Sequence, residues 1–177
     1  MNYTPEQIAE IVVKVLKEVN EPDVLTLSLD EKRELARNPN TPVETLKVLA
    51  TFTHFTVRCE VAQNPNTSPE TLKVLATDGD YSVRYRVAQN PNTSPETLKV
   101  LATDEYYGVR SWVARNPNTS VETLKVLATD EDSGVRSWVA RNPNYKTQTL
   151  ELTQVQYDAL KVLLKSSQDE TLKTLSL

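Results

Sequence analysis

Apolar and polar positions recur along this chain every 26 residues. Asn-Pro-Asn stands at Asn38, Asn64, Asn90, Asn116 and Asn142, and the stretches between successive copies are nearly the same. The third full unit reads NPNTSPETLKVLATDEYYGVRSWVAR. Fixed self-similarity of this length predicts an array of stacked supersecondary units. Within each unit the pattern predicts two helices. Leu72, Leu75 and Ala76, spaced i, i+3 and i+4, put one apolar face on the first helix. Val83 and Val87, spaced i and i+4 with Ala88 beside them, do the same for a shorter second helix over roughly Ser82 to Gln89. Thr41, Thr67, Thr93 and Thr119 precede Glu44, Glu70, Glu96 and Glu122 by three residues, which predicts a capping box with the Thr hydroxyl as the cap. Pro42, Pro69 and Pro95 fall in the first turn, where a missing N–H does no harm. The next Asn-Pro stops the second helix, because a residue before proline is pushed out of the helical region. Helices this short do not persist alone in water, so each unit must borrow its interior from its neighbours.

Residues 38–141 hold four such units, flanked by two predicted helical caps in one continuous domain. In the N-terminal cap, 1–37, Thr4 and Gln7 open a helix with Ile8, Ile11, Val12, Val15, Leu16 and Val19 in one stripe. Ser28 with Glu31 opens a second helix ending in Leu35-Ala36-Arg37. In the C-terminal stretch, 142–177, a divergent repeat leads to a helix opened by Thr153 and Gln156, carrying Ala159, Leu160 and Leu163. Its last part, Glu170 to Leu175, repeats the Glu-Thr-Leu-Lys phrase as a terminal half-unit.

Composition narrows the chemistry. One His and one Cys cannot build a four-ligand zinc site or an iron–sulfur cluster. Gly79, Gly108 and Gly134 are too far apart for a phosphate-cradling loop. A single Cys59 excludes an internal disulfide and suits a reducing compartment. Residues 1–20 do not read as a secretory signal, and no run is long and apolar enough to span a bilayer. A cytoplasmic protein without cofactors is expected. The net charge of −4 argues against a nucleic-acid coat.

The phrase Val-Arg-x-x-Val-Ala-x-Asn-Pro-x-Thr, followed by Glu-x-Leu-x-x-Leu-Ala-x-Asp, resembles the leucine-rich repeat variant family over residues 38–144. The resemblance implies an all-α, right-handed solenoid of two-helix repeats, alternating α and 3₁₀ helices, more distantly similar to HEAT-type solenoids. The family's founding member carries an iron–sulfur cluster on a cysteine-rich segment. This sequence lacks that segment, so no cluster is expected. The resemblance names an architecture more than an activity.

The four units serve as an internal alignment. Arg58, Arg84, Arg110 and Arg136 fill one unvarying slot, and Asp78, Asp104 and Asp130 precede three of them by six residues. An Asp–Arg ladder tying each loop to its own second helix is the favoured reading. A stripe of guanidinium groups offered to phosphates is the alternative. Phe52 takes the Asp position before Arg58, leaving Glu60 as the substitute partner. Glu44 with Lys47 and the matching later pairs mark a solvated face. The informative slots vary: Cys59, Tyr85, Ser111 and Ser137 in one, and Glu60, Arg86, Trp112 and Trp138 in the next. A position that accepts Glu, Arg and Trp is not fully buried. Trp112 and Trp138 are thus expected side by side on adjacent layers, with Arg115 and Arg141 one turn further on. Such residues are enriched in interaction hot spots, although Arg stacked over Trp could equally cover a seam between layers. The tyrosines of the loop before the second helix, as at Tyr81 and Tyr107, could extend a binding rim or pack.

Three functions are weighed on these residues. The leading one is a non-enzymatic protein–protein interaction module, an inhibitor or adaptor, binding through Tyr85, Arg86, Trp112, Arg115, Trp138 and Arg141. The second is a nucleic-acid-binding solenoid using the ladder of Arg58, Arg84, Arg110 and Arg136. The third, an enzyme, rests on His54 and Cys59, whose five-residue spacing is not a same-face helical spacing and which lack an orienting third group.

Overall fold

The computed structural model describes residues 24–146, 154–159, 161 and 162. The first-cap helix expected from Thr4 to Val19, the residues Thr153, Leu160 and Leu163, and the terminal half-unit lie outside the described residues. Those described are helical, with no strand. In chain order the helices are α1 (Leu29–Arg37), α2 (Val43–Leu49), α3 (Phe55–Gln63), α4 (Pro69–Leu75), α5 (Tyr81–Gln89), α6 (Pro95–Leu101), α7 (Tyr107–Arg115), α8 (Val121–Leu127) and α9 (Ser133–Val139). Further helical residues lie at 143–146 and 154–162. The chain divides into two compact units, Met1–Asn92 and Thr93–Leu177. In the first, α1 packs on α3 and α3 on α5; in the second, α7 packs on α9. The shorter helices sit against the flanking members of these stacks. Each unit thus has the layered packing of an α-solenoid.

Both helices of each repeat are α-helices, so the expected alternation with 3₁₀ is not seen. Relative length is reversed as well. The second helices α3, α5 and α7 span nine residues and the first helices seven. The apolar faces are as the spacing predicts: Leu72, Leu75, Ala76, Val83, Val87 and Ala88 are all buried, and so are their equivalents except in the last unit, where Ala128 is half-buried and Ala140 exposed.

Capping differs by one residue from the sequence expectation. The caps of α4, α6 and α8 are Ser68, Ser94 and Ser120, whose hydroxyls accept from the N–H of Thr71, Thr97 and Thr123. Pro69 and Pro95 occupy the first helical position. Pro42 instead lies outside α2 as its cap residue, without a side-chain bond. Thr41, Thr67 and Thr119 are buried, and their hydroxyls donate backwards to Leu35 O, Val61 O and Val113 O at 2.5–2.6 Å. A hydroxyl that satisfies a carbonyl left over at the end of one helix is therefore unavailable to the next. Ser28 and Glu31 do form a full capping box on α1.

A buried tie between layers is made by the first asparagine of the Asn-Pro-Asn motif. As cap residues at the C-terminal ends of their helices, Asn64 and Asn90 are extended, with ψ 129°, as a following proline demands. Their side chains are buried and reach back one layer. Asn64 Nδ2 donates to Ala36 O at 2.7 Å and Asn38 O at 2.8 Å, while its Oδ1 accepts from Asn66 N at 2.8 Å. Asn90 does the same to Ala62 O and Asn64 O, and in the second unit Asn142 does so to Ala114 O and Asn116 O. The third residue of the motif adds an outer rung, Asn66 Nδ2 to Thr41 O at 2.8 Å.

Asn64→Ala strips one buried carbonyl, one part-buried carbonyl and one N–H of their partners, and is expected to cost about 2–4 kcal/mol. Asn66→Ala, at an exposed residue, should cost less than about 1 kcal/mol. Urea unfolding followed by helical circular dichroism measures both.

Candidate interaction surface

Each second helix presents the same slots to its neighbours. One slot holds Lys32, Arg58, Arg84, Arg110 and Arg136. Arg58 Nη1 donates to the carbonyls of Phe52 and Thr53, both at 2.7 Å. Arg84, Arg110 and Arg136 repeat this contact on Asp78 O, Asp104 O and Asp130 O at 2.6–2.9 Å. The Arg therefore does tie its own loop, but through backbone carbonyls. The carboxylates point the other way. Asp78 accepts from Nε and Nη2 of Arg58, at 2.5 and 2.9 Å, twenty residues earlier in the chain. Asp130 holds Arg110 likewise, at 2.7 and 3.0 Å. The ladder expected within each repeat is thus an inter-repeat one, and Arg58 has its carboxylate after all. Glu60 is not the substitute, because it pairs with Arg37. Phe52, in the Asp position, faces the lysine of this slot: Lys32 Nζ lies 4.5 Å from its ring centre and donates to Leu25 O and Leu27 O. A cation–π contact there takes the place of the ion pair.

Burial opposes ionisation of Asp78 and Asp130. The hydrogen bonds from Arg58 and Arg110, the N–H groups of Asp80 and Asp132 and the arginine charges outweigh it, holding both carboxyls below the ordinary range. With Arg58 and Arg110 already held by carboxylates, nothing here favours phosphate binding along this slot.

A second register links positions 23 residues apart. In the first unit Arg37 Nη2 and Nε reach Glu60 at 2.6 and 3.3 Å, with Arg33 3.9 Å away. An open groove of about 450 Å³ beside them is lined by Arg37, Glu60, Gln63, Asn64, Pro65 and Arg86. Arg86 stands 5.8 Å from the centre of the Tyr85 ring and donates to Gln89 at 3.0 Å. In the second unit the same register brings Arg115 to Trp138. The Arg115 guanidinium lies 3.8 Å from the Trp112 ring centre and 4.1 Å from that of Trp138, and Arg141 lies 5.0 Å from Trp138. The two indoles are half-buried and the two arginines exposed. Sequence spacing placed Trp112 with Arg115 and Trp138 with Arg141. It did not place Arg115 with Trp138, for which the Arg37–Glu60 complementarity at the same offset was the available signal.

The opposite residue class was also missed. Val48, Val74, Val100 and Val126 recur in the first helices yet are exposed, Val74 by 68% and Val126 by 61%. In the second unit Val126, Ala102, Thr103 and Thr123 line an apolar groove of about 300 Å³ rimmed by Lys99 and Glu122.

His54 and Cys59 form no catalytic pair. His54 precedes α3 and its Nδ1 lies 2.8 Å from Thr56 Oγ1. The Cys59 thiol is half-buried, and burial followed by the charge of Asp80 pushes it up to about 11. Among the described residues no helix is long and apolar enough to cross a membrane, and no His, Cys, Asp and Glu cluster could hold a metal ion.

Comparison with known families agrees with this layout. Residues 55–80 match the model described as leucine rich repeat variant, and residues 82–143 that described as leucine rich repeat variant domain. No curated protein and no solved structure matches the chain.

An unperturbed carboxyl titrates near pH 3.9, so the stability contributed by Asp78 and Asp130 is complete above about that pH. It is lost as pH falls through their lower folded-state values. Unfolding midpoints measured from pH 7 down to pH 2 should fall steeply below about pH 4, and less steeply in Asp78→Asn with Asp130→Asn. Alkylation of Cys59 at pH 8 should run at least about 100-fold slower than that of a free thiol, and accelerate up to about pH 11.

Proposed function

We propose that this chain, built of leucine-rich repeat variant units, is a non-enzymatic interaction module that acts as an inhibitor or adaptor by holding a partner protein. Repeats of this family are generally protein-interaction repeats and typically non-catalytic. One observation carries the reading here: Arg115 is clasped between two half-buried indoles at a surface slot that the fold leaves free to vary. Structural slots of the repeat are filled by the same residues, as in the Asn64 and Thr67 positions. The slot of Glu60, Arg86, Trp112 and Trp138 changes charge, size and polarity. A layer seam can be closed by Arg37 and Glu60, so packing alone does not call for two tryptophans.

Trp and Arg together supply large, rigid, amphipathic contact area of the kind that dominates binding energy. Trp112, Arg115, Trp138 and Arg141 form the main contact in this reading. Tyr85 and Arg86 add a contact of the same chemistry in the first unit.

Trp112→Ala with Trp138→Ala is expected to abolish capture of the partner from a lysate of the native cell, a loss of at least about 30-fold in affinity, with helical circular dichroism unchanged. Undiminished capture by the folded double variant removes this surface from the function.

A further inference from the structure

Two guanidinium groups of the second unit differ from every ladder arginine by the company they keep. Arg58 and Arg110 spend their donors on Asp78 and Asp130 and on loop carbonyls. Arg37 spends its donors on Glu60. Arg115 and Arg141 are exposed and, among the described residues, their guanidinium groups make neither a hydrogen bond nor an ion pair; the contacts of those groups are with the indole rings. Stacking fixes the plane of a guanidinium while leaving its N–H groups pointing outward within that plane. The result is two cationic forks on adjacent layers, Arg115 held between two rings and Arg141 against one, in a protein whose net charge is −4.

We infer that the Trp112–Arg115–Trp138–Arg141 stack recognises an acidic segment of a protein partner, taking one carboxylate on each fork. The inference rests on the reading of this surface as a partner site and adds the partner's chemistry. Bidentate carboxylate pairing is the strongest contact such a fork makes. Packed helices lie about 8–10 Å apart, so the two carboxylates are separated by about that distance. A single-stranded nucleic acid is the poorer occupant. It would stack bases on the rings, and Arg115 already covers Trp112 and Trp138.

The test uses the full chain with a fluorescein-labelled octaglutamate peptide, octaglutamine and a thymidine oligonucleotide as probes, read by anisotropy and by indole emission. Octaglutamate should bind saturably at ~50 mM salt and weaken as salt rises, while octaglutamine does not bind. Arg141→Gln should weaken binding at least about fivefold. Arg115→Lys, which keeps the charge and the fold but not the fork, should also weaken it at least about threefold. Absence of octaglutamate binding up to ~1 mM overturns the inference. So does equal binding by folded Arg115→Gln with Arg141→Gln, or tighter binding of the oligonucleotide. If octaglutamate fails yet the double tryptophan variant still loses its partner, the acidic chemistry falls and the interaction surface stands. If the double tryptophan variant keeps its partner, the surface itself falls.

Discussion

A helix end leaves carbonyls without partners, and a stack of short helices makes many such ends in a place that excludes water. The buried amide of Asn64, Asn90 or Asn142 meets that constraint. Its two N–H groups are directed to two carbonyls of the preceding layer, and its oxygen takes up an N–H of its own turn. Aspartate has no donors for this place, glutamine is a carbon too long, and leucine would leave all three groups orphaned. The following proline holds the asparagine backbone extended, which aims the side chain backwards instead of along its own helix. The residue that ends one helix is thereby the one that attaches it to the layer before.

With the backbone held in this way, side-chain slots become addresses whose chemistry can be exchanged. At the address where Arg58 meets Asp78, Lys32 meets Phe52: an ion pair in one layer and a cation–π contact in another. Where Arg37 meets Glu60, Arg115 meets Trp138. Neither exchange disturbs the helices, since Val57, Val61, Val109 and Val113 remain fully buried beneath both. Stability resides in the invariant interior, and the exchangeable side chains lie above it. Among the varied contacts the Arg37–Glu60 pair adds little as glue, because its arginine is exposed and such pairs gain little in water.

The repeat, its two helices and its apolar faces were legible because each follows from spacing: i, i+3 and i+4 leucines and valines, and proline as a stop. The half-exposed tryptophans were legible from the tolerance of their slot for Glu60 and Arg86. What escaped was anything that depends on which neighbouring layer a side chain faces. Asp78 lies six residues before Arg84 and twenty after Arg58, and sequence distance favoured the wrong partner. Sequence pattern marks the asparagine only as a terminator, because its amide acts on residues 26 and 28 positions away. Thr67, with Glu70 three residues on, has the pattern of a forward cap, while Ser68, one position on, competes for the same role and wins.

The asparagine rungs also govern how such a chain can change its length. Asn64 and Asn90 are each bonded to an atom that sits a full unit earlier, so one residue added between them would swing the amide off its carbonyls and bury the mismatch. A whole unit added there brings its own amide and its own carbonyls, and both old rungs find equivalent partners. Growth and shrinkage of the gene are thus quantised: duplication of a complete module is silent to the scaffold, while the smallest indel is not. A surface that acquires new tryptophans or arginines can therefore be copied, lengthened or trimmed in fixed increments without redesigning what lies beneath it.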